Sequence, residues 1–458
     1  GGDPINNPKL KDFVEIPTYF RYLHEWGQNF CKERKKRLKQ IKVDCRGENG
    51  VHKTCSGDGE DCNDNLPEDP SIFPSLNCPS CGKSCGFYKK WINIKKDEFL
   101  KQKKEYTGQK DKCEKGSEGA KEFCKTLKTC TDAADFLEKL GPCKTNNNVE
   151  EDNGEDKLDF TNPEKTFVPA TNCDPCSEFK VKCKNGVCTG GVTKGNCNGG
   201  TITEKDIEKM NDLNGNIDML VSDDNPNGNK FDGLQACRGA GIFTGIKENK
   251  WKCGKVCGYN VCKPENSNGE NVSGKPNGEN PIITITALVK RWLEYFFDDY
   301  NKIKQKISHC TKNGEGFTCI NGCVDQWINQ KRTEWENIKK RFLEQYKKPD
   351  NYNVRSVLEE LIPQIPVANV KNDVIKLSKF GNSCGCSAIA SAQKNVGYED
   401  AIECMITKLQ KKIEECQSKH SDSPEKPCVD SPSPIETPPE ESLEEEEENE
   451  KTNKQPGF

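Results

Sequence analysis

The sequence predicts a mainly α, disulfide-rich fold with two related helical hairpin or bundle modules, short β pieces and long polar loops. Three observations predict it: 28 cysteines in 458 residues, apolar residues at helical spacing, and a repeated tryptophan-centred segment. The repeat reads Trp91-Ile-Asn-Ile-Lys-Lys-Asp-Glu-Phe99 in one copy and Trp327-Ile-Asn-Gln-Lys-Arg-Thr-Glu-Trp335 in the other. Each copy follows a cysteine-rich loop, and each loop follows an amphipathic helix that ends in a cysteine, which predicts two similar modules.

Composition indicates that the fold needs covalent crosslinks. Only 32% of the residues are hydrophobic and 31% are charged. Burial of apolar surface yields about 25 cal/mol per Å², against a backbone entropy cost of about 1–2 kcal/mol per residue. A disulfide typically contributes about 2–4 kcal/mol. The even cysteine count allows complete pairing, and such a density is typical of an oxidising, extracellular setting.

Zinc is the alternative explanation for the cysteines. Three pairs have a spacing that a metal could use: Cys78 with Cys81, Cys173 with Cys176, and Cys253 with Cys257. The four histidines are not in a finger-like spacing with cysteines, and several cysteines stand alone at helix ends. We therefore expect disulfides, and neither a metal nor another cofactor.

The first domain is predicted at residues 1–143, as a disulfide-stapled helical subdomain. Pro17 opens a first helix that runs to about residue 43, because proline is tolerated at a helix N-terminus. Residues 45–86 are predicted as a cysteine-rich loop, residues 86–112 as a second helix, and residues 133–140 as a shorter one.

A low-complexity polar linker is predicted at residues 144–157, followed by a cysteine-rich helical region at 158–420. The latter begins with short strand-like pieces and a capping box at Thr203-x-x-Asp206. A second helical pair follows, with apolar stripes over residues 288–310 and 327–346 and with Cys319 and Cys323 in the loop between them. A third helix is expected at 398–416.

Charge is unevenly distributed along the chain. The net charge of −4 combines a mildly basic body with a Pro/Glu-rich segment at 421–458, which holds twelve acidic and three basic residues. We expect this segment to be a disordered linker. The absence of a methionine at Gly1 suggests an excised fragment, and no run of apolar residues is long enough to span a membrane.

The residues contain no known catalytic constellation, so we expect no enzymatic activity. The strongest charge feature is the basic run at residues 32–42, which could bind sulfated glycans because clustered cations attract dense negative charge. Its candidate residues are Arg34, Lys35, Lys36, Arg37 and Lys39. A solvated helix face with interspersed acidic residues is the competing interpretation. An oxidising context argues against a nucleic-acid partner.

The aromatic residues also allow two interpretations. Their helical spacing favours packing in a core, whereas a ligand platform is the alternative. The tryptophans concerned are Trp26, Trp91, Trp292, Trp327 and Trp335. The polar insertions at 223–230 and 263–281 are more promising recognition loops, because they vary at little cost in stability.

Two segments resemble the variant erythrocyte membrane protein family of Plasmodium falciparum. Pro17–Leu38 is similar to a helix in the third subdomain of its Duffy-binding-like domains, and Leu76–Trp91 resembles the following loop and helix. Residues 158–420 resemble the cysteine-rich interdomain region or the related C2-type extension, through Trp251–Cys262 and Cys319–Lys331. The first two subdomains of a complete Duffy-binding-like domain are not found in the sequence.

The resemblance implies an adhesive ectodomain at the extracellular face of the infected erythrocyte, held at the membrane by a segment outside this sequence. The family binds host endothelial receptors such as intercellular adhesion molecule, endothelial protein C receptor or a scavenger receptor. Some members bind sulfated glycosaminoglycans, and the family undergoes antigenic variation. Two alternatives remain: a spacer that presents neighbouring domains without its own receptor, and a glycosaminoglycan binder through residues 32–42.

Overall fold

The computed structural model divides into two compact units. The first comprises Gly1–Asp61 and Asn77–Pro175, and the second comprises Cys62–Leu76 and Cys176–Phe458. The structure describes residues 15–47, 54–71, 76–143, 158–184, 187–188, 200–209, 216–223, 230–265, 281–313, 317–346, 361, 365 and 401–420. None of the helices in these ranges is both long enough and apolar enough to cross a membrane.

The first unit is built on a pair of long helices, α1 (Thr18–Arg46) and α2 (Pro79–Glu114). The helices are antiparallel, because Cys45 at the end of α1 is bonded to Cys81 at the start of α2. The predicted start of α2 at residue 86 is wrong. The helix begins at Pro79, whose fixed φ suits the first helical position, so Cys81 and Cys85 lie in the helix.

Shorter elements pack against this pair. They are α3 (Glu118–Thr126), α4 (Ala133–Glu138), α5 (Pro163–Thr166) and 3₁₀ turns at Leu127–Thr129, Gly141–Cys143 and Thr171–Cys173. Ser117 and Asp132 cap α3 and α4 by accepting hydrogen bonds from backbone N–H groups. The predicted short helix is confirmed as α4, although it ends before the expected residue 140.

Gly27 allows this close packing. A Cβ at this position of α1 would lie 2.6 Å from Leu140 Cδ1 and still closer to Leu137. Both leucines are fully buried. The glycine is therefore required for the close approach of the segment after α4 to α1.

The second unit contains more β structure than the sequence predicted. Its strands are β1 (Glu178–Lys180), β2 (Cys183–Lys184), β3 (Val187–Cys188), β4 (Thr201–Thr203), β5 (Asn216–Ser222), β6 (Ile246–Val256), β7 (Tyr259–Pro264) and β8 (Ile283–Thr284). The last four form an antiparallel sheet in the order β5-β6-β7-β8, and β1 pairs with β4 and β2 with β3. Cys257 and Gly258, with φ of 52° and 89°, form the tight turn between β6 and β7.

The helices of the second unit are α6 (Glu204–Glu208), α7 (Ile285–Asn313), α8 (Phe317–Gln345) and α9 (Ala401–His420). The predicted capping box at Thr203 and Asp206 is confirmed. The placement of Cys319 and Cys323 in a loop is wrong, because both lie within α8. The same error occurred at Cys81 and Cys85, because clustered cysteines and glycines resemble a loop in composition.

Residues 62–71 and 76 belong to the second unit, and we call residues 62–76 the inserted segment. Cys62 is bonded to Cys176, and the Leu66 N–H donates to the Lys180 carbonyl at 2.8 Å. Gln345 of α8 is 5% exposed and donates to the carbonyls of Pro70 and Gly258. This buried amide thus connects the inserted segment to the β6–β7 turn.

Disulfides crosslink both units, as predicted. They join Cys31–Cys143, Cys45–Cys81, Cys55–Cys78, Cys62–Cys176, Cys85–Cys173, Cys113–Cys124, Cys237–Cys323 and Cys253–Cys262. Cys130 is a buried free thiol. The predicted linker at 144–157, residues 224–229 and 266–280 of the two predicted recognition loops, and the acidic tail at 421–458 lie outside the described residues. The predicted domain boundaries stay predictions.

Candidate functional site

The two aromatic residues of the first copy of the sequence repeat, Trp91 and Phe99, stack with two aromatic residues of α1. Trp26 stacks on Phe30 with ring centroids 5.2 Å apart, and Phe30 stacks on Trp91 at 5.5 Å. Phe99 stacks on Trp26 at 6.3 Å. We call these four residues the first aromatic stack, which joins α1 to α2.

The second copy forms the same arrangement between α7 and α8. Trp292 stacks on Phe296 at 5.1 Å, and Phe296 stacks on Trp327 at 5.4 Å. Trp335 stacks on Trp292 at 5.1 Å. These residues, the second aromatic stack, are all buried. The prediction that the tryptophans are core residues is confirmed for Trp91, Trp292, Trp327 and Trp335, whereas Trp26 is partly buried and packs against the core. The repeated sequence corresponds to a repeated structure.

The lysine and glutamate of the repeat form an ion pair beside each stack, and only the second pair is fully buried. In the first copy, Glu98 Oε2 accepts hydrogen bonds from Lys95 Nζ at 3.2 Å and from Trp26 Nε1 at 2.6 Å. In the second copy, Glu334 Oε2 accepts from Lys331 Nζ at 2.9 Å and from Trp292 Nε1 at 2.8 Å. In both copies, the lysine and the glutamate lie on the second helix of the pair and the tryptophan lies on the first. One carboxylate thus accepts hydrogen bonds from an ammonium on its own helix and from an indole N–H on the neighbouring helix.

The second pair has a further role that sequence reasoning missed. The Leu220 N–H of edge strand β5 donates to Glu334 Oε1 at 2.8 Å, and Lys331 Nζ donates to the Leu220 carbonyl. Side chains of α8 thus satisfy the backbone groups that an edge strand leaves unpaired. The available signal was a lysine and a glutamate at i and i+3 beside the apolar stripe of α8.

Asp299 of α7 lies beside the same pair. Its side chain accepts a hydrogen bond from Trp327 Nε1 at 3.3 Å. Burial raises the pKa of the Asp299 carboxyl, and the positive charges of Lys331 and Lys302 partly oppose this effect. This buried acidic group is a structural element of the second helix pair.

The structure does not bring the five candidate glycan-binding residues onto one exposed face. Lys35, Lys36 and Lys39 are exposed, and Lys36 has 64% of its side chain accessible. Arg34 is only 5% exposed. The Arg37 guanidinium lies over the Trp91 ring, 5.1 Å from its centroid, so that it contributes to packing.

Lys32 adds to the exposed lysines on the outer face of α1, and we call Lys32, Lys35, Lys36 and Lys39 the basic ridge. Two lysines of α2 do not extend it. Lys95 is buried against Glu98, and Lys96 is paired with Glu164 at 2.8 Å. The basic ridge is therefore a short cationic strip along one helix.

Two groups of acidic and cysteine side chains have the proximity of metal ligands: Cys45 with Cys81 and Cys85, and Cys55 with Asp61 and Cys78. All five cysteines form disulfides in the structure. A metal binds thiolates, and a disulfide sulfur is not one. Oxidised as they are, these groups crosslink the fold.

Comparison with known families accounts for most of the chain. Residues 25–171 match the Duffy-binding-like domain, C-terminal subdomain. Residues 214–266 match the Cysteine-Rich Interdomain Region 1 gamma, and residues 288–424 match the PFEMP1 DBL domain. No curated protein sequence matches the chain.

Two solved structures from Plasmodium falciparum, varO strain, are similar to the chain. The NTS-DBL1-alpha and CIDR-gamma double domain of PfEMP1 matches 88% of the chain with 24% identity and a TM-score of 0.60. The chain spans 58% of the length of that double domain, so the match concerns the fold of a part of it. The NTS-DBL1(alpha-1) domain matches 38% of the chain and 39% of its own length, with 32% identity and a TM-score of 0.30.

Proposed function

Because the chain belongs to the PfEMP1 family of Plasmodium falciparum, we propose that it is a non-enzymatic adhesion module that binds a host endothelial receptor. The observation that carries the proposal is the succession of a Duffy-binding-like subdomain and a cysteine-rich interdomain region in one chain. The proposed location is the extracellular face of the infected erythrocyte. Antigenic variation is part of the same proposal.

The internal architecture supports this role. The aromatic stacks, the two ion pairs of the repeat and the disulfides hold the helices of each unit together, so that each unit is a rigid support. A rigid support lowers the entropic cost of binding a large partner through surface residues. We therefore place the receptor site on outward-facing side chains and loops, rather than on the tryptophans.

The exposure of the basic ridge favours sulfated glycosaminoglycans as a second candidate partner. Its four lysines lie on one face of α1. The acidic neighbour Glu33 is 3.8 Å from Lys36, but one glutamate against four lysines leaves the local charge positive. A helix with such a strip attracts a polyanion through long-range electrostatics. The Arg34 and Arg37 of the original candidate set are not needed for this contact.

Equilibrium binding tests the proposal. The oxidised, monomeric chain is titrated against purified endothelial receptors and against glycosaminoglycans, with a reduced and alkylated sample as the control. Saturable binding that is lost on reduction supports an adhesion module and names the partner. A well-folded oxidised sample that binds nothing contradicts the proposal and favours the spacer role.

A further inference from the structure

Two disulfides of the first unit lie in contact with each other. Cys85 is bonded to Cys173 and Cys45 to Cys81, yet Cys85 Sγ lies 3.7 Å from Cys45 Sγ and 4.0 Å from Cys81 Sγ. The sulfurs of Cys45, Cys81 and Cys85 are buried. Four cysteine sulfurs that link α1, α2 and the Thr171–Cys173 turn are thus adjacent.

Cys173 is the most exposed of these four cysteines. In the part of the chain that the structure describes, the disulfide-bonded cysteines are buried with two exceptions, Cys62 and Cys173, which are half-buried. Thiol–disulfide exchange requires access of a thiolate to a sulfur atom. A reductant from solution therefore meets Cys173 before it meets the other three sulfurs of the group.

We propose that these two disulfides form an exchange relay that a dithiol reductant opens at Cys173. A reductant thiolate attacks Cys173 Sγ and forms a mixed disulfide, and the Cys85–Cys173 bond breaks with Cys85 leaving as a thiolate. Cys85 Sγ then attacks Cys45 Sγ and forms a Cys45–Cys85 disulfide, and Cys81 leaves as a thiolate that takes up a proton.

The second thiol of the reductant completes the reaction. It attacks the mixed disulfide and releases Cys173 as a thiol. The dithiol is oxidised by two electrons to a disulfide, and the protein gains two thiols, at Cys173 and Cys81. Because Cys85 lies nearly equidistant from Cys45 and Cys81, it is beside their bond. Once released from Cys173, its side chain must rotate about the Cα–Cβ bond to attack in line.

The relay would stabilise an opened state of the first unit. Cys173 fixes the end of a segment whose Phe160 and Phe167 pack against the first aromatic stack, with Phe167 5.2 Å from Phe30. After exchange, Cys85 is held by Cys45, so the Cys85–Cys173 bond cannot re-form directly. The new disulfide still joins α1 to α2, so only the covering segment is released.

Limited reduction of the oxidised chain with dithiothreitol tests the relay. The thiols are trapped with N-ethylmaleimide and the peptides are mapped without further reduction. We expect loss of the Cys45–Cys81 peptide pair, gain of a Cys45–Cys85 pair, and new label on Cys173 and Cys81. Labelling is completed in denaturant, so that Cys130, a buried thiol before reduction, is labelled in every sample and serves as the reference.

The chain offers a matched control in the Cys62–Cys176 disulfide, which also has one half-buried cysteine residue. Among the described residues, Cys62 and Cys176 belong to no larger cluster of cysteine, histidine or acidic side chains. Reduction of this disulfide should therefore place label on Cys62 and Cys176 themselves. In the double variant Cys45→Ser/Cys81→Ser, Cys85 has no disulfide to attack, so it should be labelled after limited reduction, unlike Cys85 in the wild-type chain. The relay is overturned if the wild-type chain carries label on Cys173 and Cys85 while the Cys45–Cys81 disulfide is intact. Reduction of the buried disulfides before the Cys85–Cys173 disulfide would also overturn it.

Discussion

Replacement of Glu334 by glutamine tests how the sequence repeat stabilises the second unit. The carboxylate accepts hydrogen bonds from Lys331 Nζ, Trp292 Nε1 and the Leu220 N–H, and both members of the ion pair have only 1% of their side chain exposed. Glutamine keeps the shape but leaves a buried ammonium without its nearest anion. Removal of one partner of a buried pair costs about 3–5 kcal/mol.

The lower end of this range is expected, at about 3 kcal/mol, because Asp299 still interacts electrostatically with Lys331. The first copy of the repeat supplies the matched control. Glu98 has 30% of its side chain exposed, so solvent screens its pair with Lys95. Glu98→Gln should cost about 1 kcal/mol or less.

Urea unfolding of the oxidised variants measures the two costs, and hydrogen exchange at the Leu220 amide reports the site directly. Glu334→Gln should lower the stability of the second unit and remove protection at Leu220, whereas Glu98→Gln should leave Leu220 protected. The double variant Lys331→Met/Glu334→Gln should recover part of the loss, because the buried ammonium is removed together with its carboxylate partner. Equal costs for Glu334→Gln and Glu98→Gln, or unchanged protection at Leu220, would refute the reasoning.

Three further predictions follow from the basic ridge, Asp299 and Gly27. Replacement of the ridge lysines by glutamine should weaken heparin binding and reduce its dependence on salt. Glutamine at the exposed Lys101 and Lys104 of α2 should leave binding unchanged. Equal heparin affinities of the ridge variant and the wild-type chain would show that the ridge is not the binding site. Because the folded-state pKa of Asp299 is raised, its contribution to stability is present at low pH and lost as pH rises through that pKa. The wild-type chain should therefore lose stability relative to Asp299→Asn on raising the pH in urea titrations, and parallel pH profiles would contradict this. Gly27→Ala should destabilise the first unit by about 1–3 kcal/mol, because a Cβ overlaps the side chain of Leu140. A higher thermal unfolding temperature for the variant would show that the gain in helix propensity exceeds the cost of this overlap.

The sequence was sufficient to predict the helix pairs and their relationship. Local periodicity identifies an amphipathic helix, and the repeated Trp–Lys–Glu spacing predicted the repeat that the two aromatic stacks share. Boundaries were less accurate where cysteines cluster. The helix starts at Pro79 and Phe317 were placed too late, because cysteine and glycine content suggested loops that the structure contains as helical turns.

Features that depend on contacts between distant residues could not be predicted. The four-stranded sheet and the disulfide partners join residues far apart in the chain, and many pairings were compatible with the cysteine spacing. Residues 62–76 lie between α1 and α2 in the chain, yet they are part of the second unit. The burial of Arg34 and the stacking of Arg37 likewise follow from the packing of α1 against α2 and not from local charge.

Binding of the oxidised, monomeric chain to intact human endothelial cells tests the proposed adhesive role most directly. The account predicts saturable binding that is competed by unlabelled chain and lost after reduction and alkylation, because the disulfides maintain the surface that contacts the receptor. Binding that stays linear with concentration for a well-folded, oxidised sample would contradict an autonomous adhesion module.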